Sequence, residues 1–174
     1  PPSGKEYLTN IYSKEKAKAD INKVKDKVDL IIVSMHWGEE YTTNPNGNQK
    51  QIAKELSDMG VNLIIGNHAH SIQPVEMVGD TLVFYALGNF IAAQDTPDRQ
   101  TGVVVSLDIN KGEDSKVTFD NIKANLIYTY FKNGRNFKIY PYTKLNNNLL
   151  NNYQTYYNKY KSVLTRYTDI IEVE

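Results

Sequence analysis

Val28-Asp29-Leu30-Ile31-Ile32-Val33-Ser34-Met35-His36-Trp37-Gly38 and, further along, Gly60-Val61-Asn62-Leu63-Ile64-Ile65-Gly66-Asn67-His68-Ala69-His70 are two short apolar runs, each ending in histidine. Nearly continuous runs of this kind suit strands buried on both faces, expected here over Val28–Met35 and Val61–Ile65. Between them Asn48 to Met59 takes helical period, with Ile52, Leu56 and Met59 on one side and Gly60 as a stop. A strand–helix–strand unit of this length implies a parallel pair with a right-handed crossover. Ahead of it, Ser13 to Lys27 reads as a helix, with Ala17, Ile21 and Val24 at helical spacing.

After the second run the period becomes two. Val75–Val78 and Thr81–Tyr85 read as strands joined by Gly79-Asp80, a two-residue hairpin turn. Further strands are expected at Gly102–Ile109, at Lys116–Lys123 and within Ile127–Tyr142, with Gly112 and Gly134 in the turns between them. Leu149 to Tyr167 carries Leu149, Tyr153, Tyr156, Tyr160, Val163, Leu164 and Tyr167 at helical spacing, an amphipathic helix whose tyrosine stripe is a packing face. The fold class is therefore α/β with a mixed sheet and a C-terminal amphipathic helix, read as one domain over residues 1–174.

Composition narrows the function. The 174 residues include 20 basic and 20 acidic side chains, so net charge gives no reason to expect a nucleic-acid partner. With no cysteine, disulfides, thiolate metal sites and a cysteine nucleophile are excluded. No apolar run approaches the ~18 residues of a membrane span. The opening Pro1-Pro2-Ser3-Gly4 resembles an interior point of a longer protein, so a targeting or anchoring segment is expected outside this chain.

All three histidines follow the apolar runs. Ligands of open α/β sheets bind outside the carboxyl ends of the strands, so His36, His68 and His70 fall on that rim. In an extended segment residues i and i+2 point to the same side, which would let His68 and His70 converge, and Gly66 is expected to turn the chain just before them. Imidazoles without thiolates suit a divalent ion such as Zn, Fe or Mn, completed by carboxylates, amides or water. A histidine taken singly at a strand end is usually a hydrogen-bonded structural residue; it is three on one rim that favour metal binding. Glu39 and Glu40 are candidate partners orienting His36, or else a solvated pair. Asn89, after Leu82–Leu87, is placed to touch a metal-bound water or to cap a turn. Glu76, Asp95 and Asp98 lie near the rim, with solvation the default for the two aspartates. Trp37 is expected to pack beneath the site.

The motifs Asp29–Tyr41, Gly60–Pro74 and Tyr85–Phe90, in this order, resemble the CapA-type poly-γ-glutamate capsule proteins, a branch of the calcineurin-like metallophosphoesterases. The resemblance covers residues 20–110, and no motif is recognised beyond 115. It implies the C-terminal part of a four-layer α/β/β/α sandwich with two metals between its sheets. By motif position it assigns His36, His68 and His70 as metal ligands, while the family's early aspartate, Gly-Asp and Asn-containing motifs are not found here. It further implies a bacterial cell-surface protein, membrane-anchored through a segment outside this chain. Its expected partners are an anionic polymer or other capsule-synthesis membrane proteins, and self-association across exposed sheet surface is also expected. A generic metal-dependent phosphoesterase without a capsule role, and a non-catalytic assembly subunit with a vestigial histidine site, are the competing readings.

Overall fold

A computed structural model describes residues 2–174. Helix α1, Lys14–Val24, begins where Ser13 Oγ accepts the Lys16 amide at 3.2 Å. Helix α2, Gly47–Asp58, starts from a reciprocal cap in which the Asn46 and Gln49 side chains each accept the other's backbone N–H. It ends at Gly60, whose φ of +89° is the left-handed stop expected of it. Strands β1 (Ile32–Trp37) and β2 (Leu63–His68) run parallel, in register from Ile32 opposite Leu63 to Trp37 opposite His68. The hairpin β3 (Val75–Val78) and β4 (Thr81–Phe84) turns at Gly79-Asp80 as expected, and β4 lies parallel to β2. The first sheet is thus mixed, in the order β1-β2-β4-β3.

The second sheet is built on β6 (Val117–Lys132). Strand β5 (Thr101–Lys111) runs antiparallel along one edge, while β7 (Arg135–Pro141) and β8 (Glu172–Val173) share the other. Here the sequence expectation of separate strands at Lys116–Lys123 and beyond Ile127 is corrected. Buried Ile122, Ala124 and Leu126 keep the period of two unbroken, and Val103 to Val105 pair across the supposed gap. The last helix, α3, is Tyr153–Leu164, shorter than the periodic stretch that announces it.

Two apolar clusters hold the layers together. Ile64, Val83, Tyr85 and Trp37 pack against Ile21 of α1 and Ile52, Ala53 and Leu56 of α2. On the opposite face Leu63, Leu82 and Phe84 meet Ile122, Ala124, Leu126 and Tyr128 of β6, joined by Tyr160, Val163 and Leu164 of α3. The tyrosine stripe is a packing face, as its spacing suggests. Full burial of a side chain such as Leu126 contributes about 1.5–3 kcal/mol. The architecture is the expected α/β class with a mixed sheet.

One strand departs from expectation. The paired stretch of β1 starts at Ile32, not Val28, and it is not buried on both faces. Val33, Met35 and Trp37 pack toward the helices, but Ile32, Ser34 and His36 on the other face are exposed, Ile32 at 48%. The reason is position. β1 is an edge strand, and the second sheet covers β2 and β4 without reaching it.

Candidate functional site

The parallel register sets the carboxyl ends of β1 and β2 side by side, with His36 opposite Asn67 and Trp37 opposite His68. The imidazoles of His36 and His68 stand 4.5 Å apart between centroids, and those of His68 and His70 6.4 Å apart. The three histidines therefore meet on one rim. They do so by a different route from strand pleating: His68 has φ +97° and His70 +50°, so left-handed backbone, not an extended segment, aims the pair. Gly66 is not the turn that the sequence suggested. It lies within β2, where a Cβ would come within 2.0 Å of the Tyr85 carbonyl oxygen and 2.5 Å of Trp37 Nε1. Its bareness lets the buried Trp37 indole donate to Tyr85 O at 2.9 Å beneath the rim.

A third left-handed residue adjoins the pair. Tyr41, φ +63°, donates its amide at 2.6 Å to the carbonyl of Ala69, the buried residue between the two histidines. A bulky residue in this region is an outlier whose strain the surroundings must hold. The hold is a ladder of buried amides. Gln49 Nε2 donates to Gln73 Oε1 at 2.8 Å, and Gln73 Nε2 donates to the carbonyls of Thr42 and Asn44, fixing the loop after β1. Gly38, φ +91°, leaves room for the Gln49 side chain.

Asn89 joins this rim to the start of the second sheet. Its Nδ2 donates to the Arg99 carbonyl at 2.7 Å, and its Oδ1 lies 2.8 Å from His70 Nδ1. An amide nitrogen has only hydrogens to offer and a carbonyl only lone pairs, so the first bond fixes which way the amide faces. Oδ1 then accepts, and His70 carries a proton on Nδ1, which leaves Nε2 out of this bond. Ligating histidines are commonly oriented through the second nitrogen in this way. Tyr41 stacks on His70 with centroids 6.0 Å apart, and the Arg99 guanidinium carbon lies 3.7 Å from the centre of the Tyr41 ring. Sequence reasoning left Tyr41 without a role and read the Arg99 loop as solvated. Both come from irregular segments that no periodicity marks.

The carboxylates do not gather here. Glu39 and Glu40 are exposed, and among the described residues no hydrogen bond joins either to a histidine. Glu76 accepts from the Tyr85 hydroxyl at 2.9 Å, Asp95 pairs with Arg99 at 3.0 Å, and Asp98 accepts from Tyr160 at 2.7 Å. Burial pushes the Asp98 carboxyl up, but hydrogen bonds from Lys159 and Tyr160 outweigh it, so Asp98 is held below the usual carboxylate range. Among the described residues no three histidine or acidic side chains form a ready metal-holding set. As donors to a divalent ion, the three imidazoles fit in part: two lie close, the third is hydrogen-bonded to Asn89 through Nδ1, and no carboxylate completes them.

An α/β protein with an imidazole rim over a parallel strand pair is the class that fold and site define. Residues 2–94 match the family described as bacterial capsule synthesis protein PGA_cap, and the chain belongs to that family. It is 32% identical over 132 residues to the PGA biosynthesis protein CapA of Bacillus subtilis, covering 67% of this chain and 35% of that protein. It is 36% identical over 127 residues to the capsule biosynthesis protein CapA of Bacillus anthracis, covering 62% and 31%. A shorter match, 32% over 65 residues, reaches a protein of Mycobacterium tuberculosis named "Probable polyglutamine synthesis accessory protein", covering 36% and 17%. The matched stretch spans about a third of the length of the two CapA relatives.

Proposed function

We propose that this chain is the histidine-bearing part of a bacterial cell-surface protein that serves the synthesis or export of an anionic capsule polymer of the poly-γ-glutamate kind, on a metal-dependent hydrolase-like scaffold. The observation that carries this reading is the meeting of His36, His68 and His70 on one rim, in a chain of the capsule synthesis family. His36 and His68 would hold one divalent ion, Mn, Zn or Fe, and His70 would serve a second. Bound there, such ions supply Lewis acidity toward a carbonyl or phosphoryl oxygen of the substrate. The carboxylates the rim lacks come from the part of the protein outside this chain. Asn89 orients His70, and Glu39 and Glu40 remain outer residues facing solvent. No helix among the described residues is long and apolar enough to cross a membrane. The bare face of β1, with Ile32 exposed, is where sheet surface is open to self-association.

A second reading, a non-catalytic assembly subunit with a vestigial site, is favoured by one observation: no carboxylate joins the imidazoles. Hydrolysis of a chromogenic phosphodiester by the intact protein, with and without Mn²⁺, separates the two. The ligand assignment is tested by elemental analysis of a His68→Ala/His70→Ala double variant. The expected outcome is loss of bound metal with the fold retained, since residues on a rim serve function more than stability. Metal content equal to wild type would overturn the assignment.

A further inference from the structure

Arg99 is held more firmly than a solvated loop residue has reason to be. Three consecutive residues are pinned by three different parts of the molecule. Asp98 accepts from Tyr160 of α3 at 2.7 Å, the Arg99 carbonyl accepts from Asn89 at 2.7 Å, and the Gln100 carbonyl accepts the Thr129 amide of β6 at 2.8 Å. From this base the guanidinium lies against Tyr41, 3.7 Å from the ring centre, and Tyr41 in turn stacks on His70. The chain has three arginines. Arg166 is committed to the Thr43 carbonyl and the Asn44 side chain, and Arg135 stands at the start of β7, in the second sheet. Of the three, Arg99 is the one laid on Tyr41, the ring that stacks on His70.

Stacking uses the face of a guanidinium and leaves its in-plane N–H groups pointing outward, as a fork matched to two oxygens. One of those groups already holds a carboxylate, the Asp95 side chain at 3.0 Å, which is 76% exposed. A solvent-exposed pair of this kind is weak and easily exchanged, so Asp95 shows the geometry of a ligand more than it blocks one. We propose that Arg99, laid on Tyr41, is the anion-recognition residue of the histidine rim, taking an oxyanion of the substrate, a carboxylate or a phosphate. The proposal rests on reading that rim as the functional site. It gives the site a substrate class: a chain or ester bearing negative oxygens.

The test uses the intact protein and calorimetric dissociation constants for three probes: poly-γ-glutamate of defined length, its amidated neutral counterpart, and phenyl phosphate. Arg99→Gln should weaken binding of the charged probe about ten- to a hundredfold, as expected for loss of a charge-assisted fork. Arg99→Lys should recover part of that, a point charge replacing the fork. Asp95→Asn, at an exposed position, should tighten binding about two- to fivefold by removing the internal competitor. Whether poly-γ-glutamate or phenyl phosphate responds identifies the source of the oxyanion. The proposal falls if wild type binds neither anion, if the neutral polymer binds as well as the charged one, or if Arg99→Gln binds the charged probe as wild type does. Metal content measured on the same samples keeps the two readings apart. Loss of anion binding in Arg99→Gln with full metal supports this inference alone, and a His68→Ala/His70→Ala variant that keeps its metal sinks the ligand assignment without touching it.

Discussion

Left-handed backbone occurs in both halves of this molecule, and the residues chosen for it differ. In the second sheet it falls on Ser115, in the turn between β5 and β6, and on Asn121, Asn133 and Asn136. Asn121 and Asn136 sit where β6 and β7 each carry an extra residue against their partner, and Asn133 precedes Gly134 in the turn between them. Asparagine tolerates this region at little cost, and a bulge or turn asks nothing more of its side chain. At the rim the same region is occupied by Tyr41, His68 and His70. There the side chain is needed, and buried amides and neighbouring strands hold the strain. One half of the protein uses backbone irregularity to build a sheet; the other uses it to aim rings.

The comparison implies that stability resides in the second sheet and its core, and chemistry at the rim. Leu126→Ala, in a fully buried side chain between the sheets, should cost about 2–5 kcal/mol in urea denaturation. A loss below about 1 kcal/mol would mean that the inter-sheet core is not what holds the fold. The next effect is a reversal of sign. At an ordinary position glycine is less stable than alanine by roughly 0.5–1 kcal/mol. At residue 68, with φ +97°, His68→Gly should be more stable than His68→Ala by about 1 kcal/mol, because only glycine adopts that backbone without strain. If the alanine variant proves the more stable, the rim is not strained and the contrast fails.

The smallest effect concerns acid. Asp98 is held below the ordinary carboxylate range in the folded state, so the stability it contributes is present above its unfolded pKa and is lost as pH falls through its folded value. Asp98→Asn should therefore flatten the acid side of a stability-against-pH curve while leaving the neutral side parallel to wild type. An acid limb as steep as wild type would remove Asp98 from the account.

Much of this was legible in the sequence because local chemistry decided it. Gly79-Asp80 between alternating strands permits little but a tight hairpin, and Gly60 stops α2, whereas the Asn46–Gln49 cap that starts it one residue ahead of the periodic stretch was not read. The histidine rim was legible because strand ends fix where histidines after apolar runs must fall. What escaped depends on distant partners. That β1 shows one bare face follows from how far the second sheet extends, which Ile31-Ile32-Val33 cannot report. Gly66 announced a special backbone, but only the Tyr85 carbonyl and the Trp37 indole reveal that it serves close approach. Tyr41 and Arg99 are far apart in sequence and sit in irregular segments, so nothing periodic linked them to His70.

Arg166, just past α3, donates to the Thr43 carbonyl at 3.1 Å and to the Asn44 side chain, across 123 residues of chain. The loop it grips is the one that carries Tyr41. The motif-rich stretch over residues 2–94 is therefore not a transplantable module: grafted alone onto another scaffold, it would keep every recognisable residue and lose the brace that sets Tyr41 beside His70. Chimeras between relatives should place their junctions so that both ends of this long closure come from the same parent.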